Sequence, residues 1–309
     1  MRKTVTRTIV VIVAMLCALA PCGGAAAGDE PAAQAGAPAD ARVFDAQRAW
    51  REWTQLLTLD YGYFQRQGVD GPAIVSHFAP RAANATTRGE FIALIQQMAR
   101  NFADPHLNVG PAAADGPSLV PTASDLAGDW VDGRFVIRDV RADSDASRQG
   151  VTPGDAVVSI DGRVPAVAVE SLLGRPIATL SREQAAFGLT IALAGVRDRP
   201  RRLVTSGRSG TREFVLRSAG EQASALAAAP ALTSQRHGDV GIIGFNNSLG
   251  RDETIAAFAR ALQPLLDTRA LVVDLRNTPS GGNTTVARGV LGHFVGRERP
   301  YQVHVVPGE

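Results

Sequence analysis

The chain has 309 residues, 45% of them hydrophobic, enough for two or three packed units. Its formal net charge is +2 and its arginines are scattered, which excludes an electrostatic case for nucleic acid. Lys3 is the only lysine, and Cys17 and Cys22 are the only cysteines, so amine and thiol nucleophiles are confined to the first residues.

Those first residues have the pattern of a signal peptide. Arg2, Lys3 and Arg7 form a basic region, and an apolar run follows over residues 9–20, too short to span a bilayer comfortably. Ala25-Ala26-Ala27 supplies small residues for cleavage near Ala27. A lipoprotein box ending at Cys22 is the weaker reading, because Pro21 precedes the cysteine. Residues 1–27 are therefore expected to direct export to the periplasm or the exterior, with no stable membrane span. Without Arg2, Lys3 and Arg7, the basic residues number one fewer than the 30 acidic ones. The mature chain then has no lysine and no cysteine. A general base within it must be a histidine or a carboxylate.

Residues 28–41 are rich in Ala, Pro and Gly and are expected to be a disordered linker. A helical domain is expected over residues 42–115. Ala46, Ala49, Trp50, Trp53, Leu56, Leu57 and Tyr61 recur at helical spacing and make an apolar stripe. A second, short helix is predicted over residues 72–78. A third opens at the capping box Thr87-Arg88-Gly89-Glu90 and runs through Phe91, Leu94, Ile95 and Met98. The next loop holds Asp104-Pro105-His106. His106 is the candidate base; the plain alternative is a loop histidine that ties a turn. His77, His293 and His304 are read as structural.

A β-rich unit is expected over residues 120–220. Strands are predicted over residues 134–140 and 156–160, with a short helix over 144–149 closed by Gly150. A further helix covers residues 167–173. Short strands at 203–205 and 214–216 flank a flexible segment, and the alanine-rich residues 222–230 are read as a linker.

The last unit is expected over residues 235–309. Strands at 240–245 and 271–275 alternate with helices at 252–266 and 285–295, which implies a parallel β-α-β unit. A last strand is predicted over residues 302–306. The second of these strands, ending at Asp274-Leu275-Arg276-Asn277, runs into the turn around Ser280-Gly281-Gly282. Ligands gather at such carboxyl ends of strands in an open α/β sheet. Gly281 and Gly282 let backbone N–H groups approach a substrate at a helix N-terminus, the recipe for an oxyanion hole. Asp274 and Arg276 are expected to bond each other or the turn backbone and hold its shape.

In this order, the segments resemble a known family. The run Gly150-Val151-Thr152-Pro153-Gly154-Asp155, followed by the strand 156–160 and Asp161-Gly162, is similar to a bacterial PDZ domain. With Asp274-Leu275-Arg276-Asn277 and Gly281-Gly282, the whole resembles the carboxy-terminal processing and tricorn-like serine peptidases. The resemblance implies an α+β multidomain protein: an N-terminal helical bundle, a PDZ-like module and the start of a crotonase-like α/β peptidase core. It implies a serine endopeptidase whose PDZ-like module takes polypeptide C-termini by adding them as a strand to an exposed edge. It implies His106 as general base and the Gly281-Gly282 turn as oxyanion hole, with no cofactor and no metal. In the family, the nucleophilic serine and the acid that supports the histidine come later than Glu309, so both are expected to be absent here.

Three alternatives stay open. One is a non-catalytic periplasmic peptide-binding or scaffold protein. Another makes Ser280 the nucleophile. The third takes Asn246-Asn247-Ser248-Leu249-Gly250 as a variant nucleophile elbow, with helix capping as the cheaper account of Ser248.

Overall fold

The first helix, α1 (Ala46–Asp60), starts where the Asp45 side chain accepts from the Arg48 N–H. A computed structural model describes residues 44–110, 113, 115–121, 124–278 and 280–300. The expected signal segment with Ala27 and Cys22, the expected linker 28–41, and the strand expected at 302–306 with His304 lie outside the described residues. α2 (Gly71–Ala82) and α3 (Arg88–Arg100) begin in the same way, at Asp70 and Thr87. Each cap takes up an amide that the first helical turn leaves without a partner. α2 runs past the expected 72–78 and carries Pro80 inside it. Leu57, Ile74, Phe78, Ile95, Met98 and Phe102 form the bundle core. Leu56, counted in the apolar stripe, is 50% exposed, because its neighbour Leu57 takes the inward position.

Five strands follow: β1 (Leu126–Val131), β2 (Arg134–Val140), β3 (Ala156–Ile160), β4 (Arg201–Gly207) and β5 (Gly210–Leu216). They form one antiparallel sheet in that order. Asp132 and Gly133 both have positive φ, as a two-residue hairpin turn requires. A short helix, α4 (Asp145–Gln149), precedes β3; α5 (Pro165–Leu173) and α6 (Arg182–Ala194) lie between β3 and β4. The core under the sheet includes Ile137, Val169, Leu173, Leu189, Leu203 and Leu216.

β1 and α6 were not expected from the sequence. α6 buries residues around its circumference, Ala185, Gly188, Leu189, Ile191 and Leu193 among them, so no single stripe marks it. It packs closely on β1. A Cβ placed on Gly128 would lie 2.3 Å from Leu189 Cδ2, so only glycine fits there. A buried ion pair ties the end of α6 to the sheet. Arg201 Nη1 donates to Asp125 Oδ1 at 2.9 Å and to Leu193 O at 2.6 Å, with side chains 2% and 0% exposed.

The alanine-rich stretch read as a linker is a helix, α7 (Ala219–Ala228), opened by a Ser218–Glu221 capping box. Alanine is the strongest helix former, and the cap supplies the start. Then come β6 (Leu232–His237), β7 (Val240–Phe245), α8 (Glu253–Leu262), β8 (Ala270–Asp274) and α9 (Thr284–Leu291). β6 pairs antiparallel with β7, and β7 pairs parallel with β8 from Val240↔Ala270 to Gly244↔Asp274. Ile243, Phe245, Phe258 and Val286 make its core. The architecture is mixed α+β. Among the described residues, no helix is long and apolar enough to cross a membrane, and no group of His, Cys, Asp and Glu is arranged to hold a metal.

The bundle grips the end of α5. Gln97 donates to Ser171 O, Arg100 to Leu172 O and Asn101 to Leu173 O; His77 and Arg81 meet Gly174 O. These carbonyls have no partner within the helix, and amide and cationic side chains suit that negative end. The seam holds the last turn of α3, from which the His106 loop departs.

Candidate functional site

The His106 loop leaves α3 through a tight path. Arg66 donates to Phe102 O at 2.8 Å and Ala103 O at 3.1 Å, and pairs with Glu183 of α6 at 2.7 Å. Gln184 of α6 donates to Asn101 O. Ala103 takes a positive φ of 49°, which turns the chain toward Asp104.

Asp104 Oδ1 lies 2.9 Å from His106 Nδ1 and accepts the His106 N–H at 2.9 Å. Asp104 Oδ2 accepts the Tyr61 O–H at 2.7 Å. The Asp104 side chain is 7% exposed and that of His106 is 89% exposed. Burial opposes the Asp104 charge, but the bonds from His106 N–H, Tyr61 and the His106 ring outweigh it and hold the carboxyl below its usual range. Burial, with the bond to Asp104, pushes the Tyr61 phenol up, so it stays a donor. Sequence reasoning had placed Tyr61 only on the apolar stripe.

The second cluster sits at the carboxyl ends of parallel β7 and β8. Arg276 clamps Asp274 through Nε at 2.9 Å and Nη2 at 2.6 Å, and its own N–H donates to Asp274 Oδ1. Those bonds from Arg276 hold Asp274 well below the carboxylate range, at about 2. An asparagine network, absent from the sequence reading, laces this turn to the loop after β7. Asn247 N–H donates to Asn277 O, Asn277 Nδ2 to Asn246 Oδ1, and Asn247 Nδ2 to Ser280 Oγ; Ser280 N–H returns a bond to Asn247 Oδ1.

The two glycines differ in role. Gly281 has φ of 70°, and its N–H donates to Thr278 O at 3.2 Å. Gly282 touches the facing loop so closely that an added Cβ would lie 2.5 Å from Leu249 Cβ. Among the described residues its N–H has no partner, whereas the next amide, that of Asn283, donates to Leu249 O. Asn283 caps α9 through Val286 N–H.

Among the described residues, neither candidate serine has a base. Ser248 is fully buried and donates to Ala231 O at 2.7 Å, which removes the nucleophile-elbow reading. Ser280, among the described residues, is engaged by Asn247 alone. Among the described residues, no hydrogen bond or ion pair joins His106 to the 275–283 turn. His77 serves the α5 seam, and His293 packs on Phe258 with ring centres 5.5 Å apart.

The β1 edge of the five-stranded sheet is capped rather than open. Leu126 N–H donates to Ser124 Oγ at 3.3 Å, Gly128 N–H to Thr190 Oγ1 of α6 at 3.0 Å, and Trp130 N–H to Asp129 Oδ1 at 2.7 Å. Arg182 of α6 holds Asp129 through Nε and Nη2 and lowers its pKa. Alternate amides of an edge strand point outward, so these three acceptors occupy the positions that an added strand would use.

No protein-family model matches the chain, and a comparison with curated proteins finds no match. Among solved structures it is similar to a photosystem II D1 C-terminal processing protease, with 16% identity and a TM-score of 0.39. The match covers 75% of this chain and 60% of that one, so the chain spans less than two thirds of that protein's length.

Proposed function

We propose that this chain is the base-bearing and substrate-recognising part of an exported serine endopeptidase of the carboxy-terminal processing or tricorn-like type. The observation that carries the reading is His106: its Nδ1 is held by a buried carboxylate while the ring stands in solvent. That is the arrangement a general base needs. Nε2 takes the proton of a serine hydroxyl as the oxygen attacks a peptide carbonyl, and returns it to the leaving amine. The Gly282 N–H, beside the α9 N-terminus, is the donor for the oxyanion. No described serine reaches His106, so the nucleophile comes from other residues. A fluorophosphonate probe tests this: the protein at its natural length in the cell should be labelled, and residues 28–309 alone should not. An unlabelled natural-length protein would leave the peptide-binding scaffold as the reading. Labelling of residues 28–309 that is lost in Ser280→Ala would move the nucleophile to that turn.

The five-stranded module is the PDZ-like element of this reading. An extended C-terminal peptide would add to β1 beside α6, displacing Thr190 from Gly128. Thr190→Val removes that competing acceptor. Net worth per neutral hydrogen bond is about 0.5–1.5 kcal/mol, so peptide affinity should rise by roughly two- to tenfold. Calorimetric titration with carboxylated and amidated forms of one peptide reads both points. Equal affinity for the two forms would end the carboxylate-recognition claim.

A further inference from the structure

We infer that Asp104 and Tyr61 are positioning residues that fix neutral His106 as the Nδ1–H tautomer, with a bare Nε2 facing solvent. The ionised carboxylate of Asp104 can only accept hydrogen bonds. Its Oδ1 lies 2.9 Å from His106 Nδ1, so that nitrogen must carry the proton. The same oxygen accepts the His106 N–H at 2.9 Å, which locks backbone and ring to one atom. The other oxygen is occupied by the Tyr61 O–H at 2.7 Å, so the carboxylate cannot turn away without losing a bond. Tyr61 is itself fixed. It ends α1, and its ring meets Phe102 edge-on at 5.4 Å and 89°. Arg66 holds the Phe102 and Ala103 carbonyls just ahead of Asp104, and Leu107 N–H donates to Asp104 O at 3.2 Å.

The family resemblance places the supporting acid far downstream of the histidine. In this chain an orienting acid stands two residues upstream of it, inside the same loop. The tautomer follows from the geometry by itself; only its use in catalysis rests on the peptidase reading.

The test needs no activity. The 309-residue chain is labelled with ¹⁵N-histidine, and the His106 signals are identified by their loss in His106→Gln. At a pH where imidazole is neutral, Nδ1 should resonate as a protonated nitrogen and Nε2 as a bare one. Asp104→Ala removes the acceptor and should lower the Nδ1–H to Nε2–H ratio by about tenfold, the worth of a hydrogen bond to a charged group at an exposed ring. Tyr61→Phe keeps the ring packing and should lower the ratio by about threefold. A wild-type ring protonated on Nε2 would overturn the assignment, as would an unchanged ratio in folded Asp104→Ala. If Asp104→Ala does not fold, the wild-type spectrum and Tyr61→Phe decide by the same criteria. A failed probe-labelling experiment would sink the peptidase reading and leave this assignment standing; a proton on Nε2 with the natural-length protein still labelled would sink this assignment and move the base of the peptidase to another group.

Discussion

On the proposed peptidase reading, His106→Ala should lower kcat of the natural-length protein by about 100- to 10,000-fold, the contribution of a positioned general base. Folding should be unaffected. The side chain is 89% exposed, and among the described residues its bond to Asp104 is its single ring hydrogen bond. The measurement is turnover of an unstructured polypeptide, with thermal melts of both proteins alongside. Retention of more than about half the wild-type kcat would reduce His106 to a loop histidine. A lysine supplied by other residues would then become the leading base, and the Ser–His assignment would fall.

Asp125→Ala should destabilise the protein by about 3–5 kcal/mol, the cost of leaving a buried charge without its partner. The bereaved charge is Arg201, whose side chain is 2% exposed. Ala146 N–H would lose its bond to Asp125 Oδ2 as well. Among the described residues, Arg201 would keep only the carbonyls of Leu193 and Arg217. Replacing both members, as Asp125→Leu with Arg201→Met, should cost far less, since apolar groups can fill the space that the pair occupies. Urea denaturation followed by circular dichroism reads the comparison. A loss under about 1 kcal/mol in the single variant would show that water reaches Arg201 and that the pair is not sealed.

Local chemistry made much of the fold legible. α1 was visible because its apolar residues recur on one face, and α3 because Thr87 caps its first turn ahead of Phe91, Leu94, Ile95 and Met98. β2, β3, β7 and β8 were visible as short apolar runs bounded by turns. α6 was not, because it is buried on several sides and carries no stripe. α7 is a helix rather than the expected linker because the Ser218–Glu221 capping box opens it, while alanine-rich composition by itself serves both. β1 escaped because Gly128 breaks its pattern, and that glycine makes sense only against Leu189 across the packing.

The site divides along the same line. The sequence by itself determined the chemistry on offer: no lysine after the first residues, a histidine in a loop after the bundle, and a glycine turn after a buried strand. Asp274 and Arg276 stand two residues apart, so their bond could be anticipated from local geometry. Only the tertiary structure decided how those groups are held. Tyr61 and Asp104 are 43 residues apart, Asn246 and Asn277 are 31 apart, and Asp125 and Arg201 are 76 apart. Hydrogen bonds over such separations exist only after packing has brought the elements together, and no local preference encodes them. The capped β1 edge has the same origin: Thr190 meets Gly128 because α6 lies against the strand, and that contact is a property of the packed sheet and helix.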